Sequence, residues 1–154
     1  MERLKYGLLI IRFVMCLRRF LYSCVVVFQV QLLNTFTSEA DGIPSSVDFV
    51  RDEPNRIVAA FASSHCLVFD TETAKPIMRL ESSQESVNLN NKQINRIVCH
   101  PTLPLTITAH EDRHVRFWDN HTGKMVHSMV AHLDAVTSLA VDPNVLYLLS
   151  VEFI

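Results

Sequence analysis

Residues 110 to 114 read HEDRH, inside TITAHEDRHVRFWDNHTGK, and fit the H-E-x-x-H spacing of zinc hydrolases. That chemistry needs His110 and His114 one turn apart on a helix, both binding the metal, with Glu111 activating a water. The local conformation of residues 103 to 119 decides whether these side chains can do it. Apolar residues there fall at Leu103, Leu105, Ile107 and Ala109, then at Val115 and Phe117, a period of two. Thr106, Ile107, Thr108 and Val115 are β-branched, and both features favour strands. With Pro101 and Pro104 breaking the chain upstream, HEDR reads as a turn between antiparallel strands, its backbone served by the short Asp112 carboxylate. On such a hairpin Glu111 does not have the geometry of a metalloprotease base.

The rest of a zinc site is missing as well. Phe117 and Asn120 stand where an H-x-x-G-x-x-H extension needs Gly and His, and Asp134, the candidate for a distant carboxylate ligand, falls in a separate repeat. His100, His121 and His127 have no metal-ligand spacing. Cys16, Cys24, Cys66 and Cys99 form no C-x-x-C pair and read as reduced thiols of an intracellular protein, with Cys66 and Cys99 acting as small hydrophobes. The expectation is a protein that is not an enzyme, with no catalytic residue, metal or cofactor; zinc hydrolysis through HEDRH is a minor alternative.

Charge separates two unlike segments. Residues 1–31 hold five Lys or Arg against one Glu, whereas residues 32–154 hold nine against fifteen acids. A mildly acidic body lacks the clustered cations of a nucleic-acid footprint, and nothing points to a small-molecule substrate. Residues 6–33 are strongly apolar, but Arg12, Arg18 and Arg19 cut the run below the roughly 20 residues of a membrane-spanning helix. The segment fits neither a secretory signal nor a narrow amphipathic stripe. It is expected to be unrelated to the domain that follows; a helical form and membrane association through residues 6–31 are the alternatives.

From Leu32 onward nine β-rich runs are separated by Pro, Asn, Asp and Gly: SVDFV (46–50), RIVAAF (56–61), CLVFD (66–70), PIMRL (76–80), QINRIVCH (93–100), LPLTITA (103–109), HVRFWD (114–119), KMVHSMV (124–130) and AVTSLAVDP (135–143). Spacing near ten residues indicates a sandwich, barrel or propeller. A repeat decides between them. INRIVCHP corresponds to AVTSLAVDP with Pro101 and Pro143 42 residues apart, and SVDFVRDEP is an earlier copy with Pro54 47 before Pro101. VFD (68–70) and FWD (117–119) mark equivalent places. Four strands per unit at a period of 40 to 50 define propeller blades.

The stretch TAHEDRHVRFWDNHTGKMVHSMVAHLDAVTSLAVDPN (108–144) resembles a WD repeat, specifically the C-terminal propeller of the striatin family of scaffold proteins, and the similarity extends upstream to about residue 32. It implies an all-β fold, an incomplete WD-repeat β-propeller of about two and a half blades over 32–154, with blades at 46–80, 94–130 and a half blade at 133–154, preceded by the apolar segment 1–31. It also implies a buried structural network: Thr108, Asp112 and Trp118 in the second blade, whose usual loop histidine is lacking, and His132 with Ser150 in the third. His110, Glu111, Arg113 and His114 become exposed candidates for protein contact. Gly123 takes the left-handed place in the NHTGK turn. Val145 departs from the family, standing where a turn glycine is expected, and is strained if it keeps that conformation.

The function implied is a non-catalytic, cytoplasmic interaction scaffold. Relatives assemble complexes of a type 2A protein phosphatase with kinases and bind calmodulin, through segments before the propeller in the calmodulin case. Open blade edges and a last blade stopping at LLSVEFI predict that residues 32–154 alone are unstable.

Overall fold

The computed structural model describes residues 8–20, 23–36, 42–61, 64–80 and 93–152, the segment 8–35 as backbone only. All nine β-rich runs are strands, and a further one follows them. The first sheet beyond residue 40 is an antiparallel meander of β3 (Pro44–Phe49), β4 (Arg56–Phe61), β5 (Cys66–Asp70) and β6 (Pro76–Leu80). The second repeats that order with β7 (Ile94–Cys99), β8 (Leu105–His110), β9 (His114–Asp119) and β10 (Met125–Val130). A third, of two strands, joins β11 (Val136–Val141) to β12 (Leu148–Glu152). The fold is all-β, an incomplete propeller whose units we number blades 1, 2 and 3.

The apolar N-terminal segment corrects one expectation. It is not a helix: β1 (Leu8–Phe20) pairs antiparallel with β2 (Ser23–Phe36) in a register running from Leu8↔Phe36 to Phe20↔Ser23. β2 also crosses residue 32, where the sequence changes texture. Runs such as Val25–Val27 are β-branched and suit a pleated backbone. No helix among the described residues is long and apolar enough to cross a membrane.

The blades stack face to face, and alternation along each strand supplies the apolar layers between them. Ile57, Ala59 and Phe61 of β4 join Leu67, Phe69 and Phe36 on one face of blade 1. Val58 and Ala60 point the other way, toward Ile94, Ile97, Cys99 and Trp118 of blade 2. Ile107, Ala109 and Val115 then meet Val136 and Leu139 of blade 3. A strand packed on both faces reads as a continuous apolar run, as RIVAAF does. Cys66 and Cys99 are buried free thiols in the layer between blades 1 and 2. Burial, the chief cause, pushes the Cys99 thiol up to about 12.

The inner strands β3, β7 and β11 lie side by side, and side chains supply bonds between them. Ser46 Oγ accepts from the Ile97 N–H at 3.2 Å, and Asp48 Oδ2 accepts from the Cys99 N–H at 2.8 Å. Asn95 Nδ2 donates to the Val136 carbonyl at 3.0 Å. Buried backbone groups need partners, and these contacts join neighbouring blades while supplying them. Gly123 fixes a further approach: at φ +70°, an added Cβ would sit 2.8 Å from Met78 Sδ and 2.9 Å from the Arg79 carbonyl.

Candidate functional site

The β8–β9 hairpin carries most of the chemistry-bearing side chains singled out from the sequence. Strand β8 ends at His110, residues 111–113 form the turn, and β9 opens with His114. Ile107 and Ala109 face blade 3, so alternation turns Thr106, Thr108 and His110 toward blade 1. All three are buried.

Thr108, with 0% of its surface exposed, is the hub. Its Oγ1 accepts from the Trp118 indole N–H at 2.8 Å, lies 2.7 Å from His110 Nε2, and donates at 3.4 Å toward the Arg116 carbonyl. The histidine of this network therefore comes from the end of β8 itself. His110 is 3% exposed, which corrects the expectation that it is an exposed contact residue. Its burial follows from parity: two residues beyond Thr108, it points into the same layer.

Asp112 is also placed differently from the family-based expectation. Its carboxylate receives both Nη groups of Arg116, one at 3.0 Å, and accepts the His114 N–H at 3.3 Å. No bond joins it directly to Thr108 or Trp118. Burial works to raise this carboxyl, but the hydrogen bonds and charge of Arg116, with His110 and His114 nearby, hold it below the usual carboxylate range. The pairing of Asp112 with Arg116 carries no signal along the chain: it depends on the register that places Arg116 opposite Thr108, one strand over, and a two-pronged guanidinium is the stronger partner for a carboxylate.

The two imidazoles of HEDRH are committed to different bonds. His110 Nε2 meets Thr108, while His114 Nδ1 lies 2.7 Å from the Asp112 carbonyl. Glu111 Oε2 accepts from Asn95 Nδ2 at 2.9 Å. In blade 3, His132 Nε2 lies 2.7 Å from Ser150 Oγ, so these two are brought together. Glu152, not anticipated, accepts from the Leu133 and Asp134 N–H groups at 3.0 and 3.1 Å and pins the loop before β11.

On the opposite turns, Asp70 and Asp119 close β5 and β9 alike. Asp70 Oδ1 accepts from the Thr73 and Glu72 N–H groups, at 3.0 and 2.7 Å. Asp119 accepts from the His121 N–H at 2.9 Å and the Thr122 hydroxyl at 2.8 Å. These bonds hold both carboxyls below their ordinary range. Their signal in the sequence was the shared final Asp of VFD and FWD.

What remains at the surface of the hairpin tip is Glu111 and Arg113, both exposed, with His114 half-buried. Arg113 adopts a left-handed backbone, φ 69°, and its carbonyl accepts from the Ala131 N–H at 3.0 Å. The tip is thereby tied to the loop that leads into blade 3.

Four-stranded antiparallel units stacked through their inner strands, with a Thr–Trp bond buried in the blade and an Asp closing its third strand, define a WD-repeat protein. A family pattern described as "WD domain, G-beta repeat" matches residues 81–119. The chain is 57% identical to mouse Striatin over 119 residues, which is 77% of this chain and 15% of that protein. It is 58% identical to human Striatin-3 over 109 residues, 71% of this chain and 14% of the relative, and 53% identical to mouse Striatin-4 over 119 residues, 77% and 15%. Over about three quarters of its length the chain is similar to members of the striatin family, and it spans about 15% of the length of the relatives it matches.

Proposed function

We propose that this chain is a non-catalytic protein-interaction scaffold, and that it joins the phosphatase and kinase assemblies its family resemblance implies. The observation that carries this reading is the division of labour at the β8–β9 hairpin. Thr108, His110, Asp112, Arg116 and Trp118 are committed to bonds that fix the blade, whereas Glu111 and Arg113 are presented on a tip of fixed shape. A rigid scaffold holding polar loop residues outward is a protein-binding arrangement. Calmodulin binding, associated in the family with segments before the propeller, is assigned to no residue of this chain. The proposed compartment is the cytoplasm.

The test is co-purification of the full chain with a type 2A phosphatase and its associated kinases from cells, against a Glu111→Ala/Arg113→Ala variant whose circular dichroism matches the parent. Retention by the parent and loss by the variant support the reading. Equal absence of these proteins from both would remove the phosphatase assignment.

A further inference from the structure

The loop between blades 2 and 3 combines an exposed apolar side chain with an unusually firm backbone. Leu133 is 89% exposed, yet every neighbour in its loop is held. The Ala131 N–H reaches Arg113, the His132 ring meets Ser150, and the Leu133 and Asp134 N–H groups both donate to Glu152. A leucine fixed in water gains nothing for the fold; fixed before a partner arrives, it lowers the ordering cost of binding. Directly after it, Asp134 lines a cleft of about 460 Å³ shared with Asn95, Glu111, Ala135 and Thr137, between the two blades. Glu111 and Asp134 are the charged groups of that lining, and among the described residues no Lys or Arg lies within 4.0 Å of either carboxylate. Among the described residues, the Glu111 carboxylate bonds only the neutral Asn95 side chain, and Asp134 Oδ1 only the Ala135 N–H. Two negative charges in a recess beside low-dielectric walls attract a cation.

We propose that this cleft and Leu133 together form a docking site for an extended segment of a partner protein in which a Lys or Arg adjoins an apolar residue. The cation enters between Glu111 and Asp134, and the apolar side chain covers Leu133. Charge complementarity selects this occupant over an acidic or phosphorylated segment, which the same two carboxylates repel. The site rests on the scaffold reading and gives it a partner chemistry.

Short random peptides displayed on phage and selected on the immobilised full chain test the site. Recovered peptides should pair a Lys or Arg with a neighbouring Leu, Met or Phe. A synthetic consensus peptide, followed by fluorescence anisotropy, should bind less tightly as salt rises. Leu133→Ser and the double change Glu111→Gln/Asp134→Asn should each weaken it about tenfold, the effect of losing one well-placed contact, with circular dichroism unchanged. Recovery of acidic peptides, of none, or of peptides whose affinity neither variant alters overturns the site. If the phosphatase co-purifies in any of those cases, the scaffold reading survives without this site; if it too is absent, the site and the phosphatase assignment both fall.

Discussion

Replacing Thr108 by Val removes one hydroxyl from a site with no exposed surface while keeping almost the same volume. That hydroxyl is the partner of both the Trp118 indole N–H and His110 Nε2. Valine can bond neither, and neither group gains access to water. Each buried polar group left unpaired costs about 1–3 kcal/mol, so Thr108→Val should destabilise by about 2–5 kcal/mol. Against a total stability of about 5–15 kcal/mol for a domain, that is a large loss. Thr108→Ser keeps the hydroxyl and deletes a methyl, a loss of about 1 kcal/mol. The expected order is therefore parent, serine, valine, whereas apolar burial alone would place valine first and serine last. Trp118 is the chain's single tryptophan, so its fluorescence in a urea titration reports the site and its stability together. A cycle with Trp118→Phe, followed by circular dichroism, should give a coupling of about 1 kcal/mol between the two positions. A valine variant as stable as the serine variant, or a coupling of zero, would refute the network as the source of blade stability.

Three other outcomes follow from backbone and charge. Gly123→Ala places a Cβ against the Arg79 carbonyl at positive φ. It should destabilise by about 1–3 kcal/mol, and more than Ala74→Gly, the matching turn position of blade 1, where Ala already sits at φ 56°; comparison of urea midpoints decides. Val145 is held at φ 64°, so Val145→Gly should stabilise by about 1 kcal/mol, strain relief outweighing the added freedom of the unfolded chain; an unchanged or lowered midpoint counts against strain there. The Asp112 carboxyl is held low in the folded chain, so its contribution is present above the unfolded value of about 3.9 and is lost as pH falls through the folded one. Asp112→Asn should flatten the acid limb of the stability profile, whereas a parallel limb would show that Arg116 does not favour the charged form.

The strands were legible because alternation and β-branching act locally. The HEDR turn needed only the period of its flanks to be separated from a helix. The N-terminal segment was harder to read, since short apolar runs interrupted by arginines suit either helix or strand until a partner strand is known. In the network, Thr108 and Trp118 came from the family pattern, but the pattern also directed Asp112 to them. The choice between Thr108 and Arg116 as partner depends on cross-strand register and on which face each side chain takes, neither of which is visible along the chain. The contact between Gly123 and Met78 is hidden for the same reason: it joins two blades, 45 positions apart.

Comparison of the blades explains why Thr108 should matter more than its size suggests. The bonds Asp70 N–H to the Lys75 carbonyl and Asp119 N–H to the Lys124 carbonyl align β5 with β9, which makes Phe69 the counterpart of Trp118. By the same alignment Phe61, ending β4, corresponds to His110, and Ala59 to Thr108. Blade 1 fills this place with apolar groups: Phe36 meets Phe69 edge-on at 5.5 Å, and Phe61 lies 6.3 Å from the same ring. Such a cluster needs no hydrogen-bond partners and tolerates the loss of one member in proportion to the area removed. Blade 2 fills the equivalent place with an indole, a hydroxyl and an imidazole, each of which is costly to bury unless the others are present. A change that would cost blade 1 one side chain's packing therefore costs blade 2 the packing and two unmade bonds, and the hydroxyl common to both bonds is the point at which that difference can be measured.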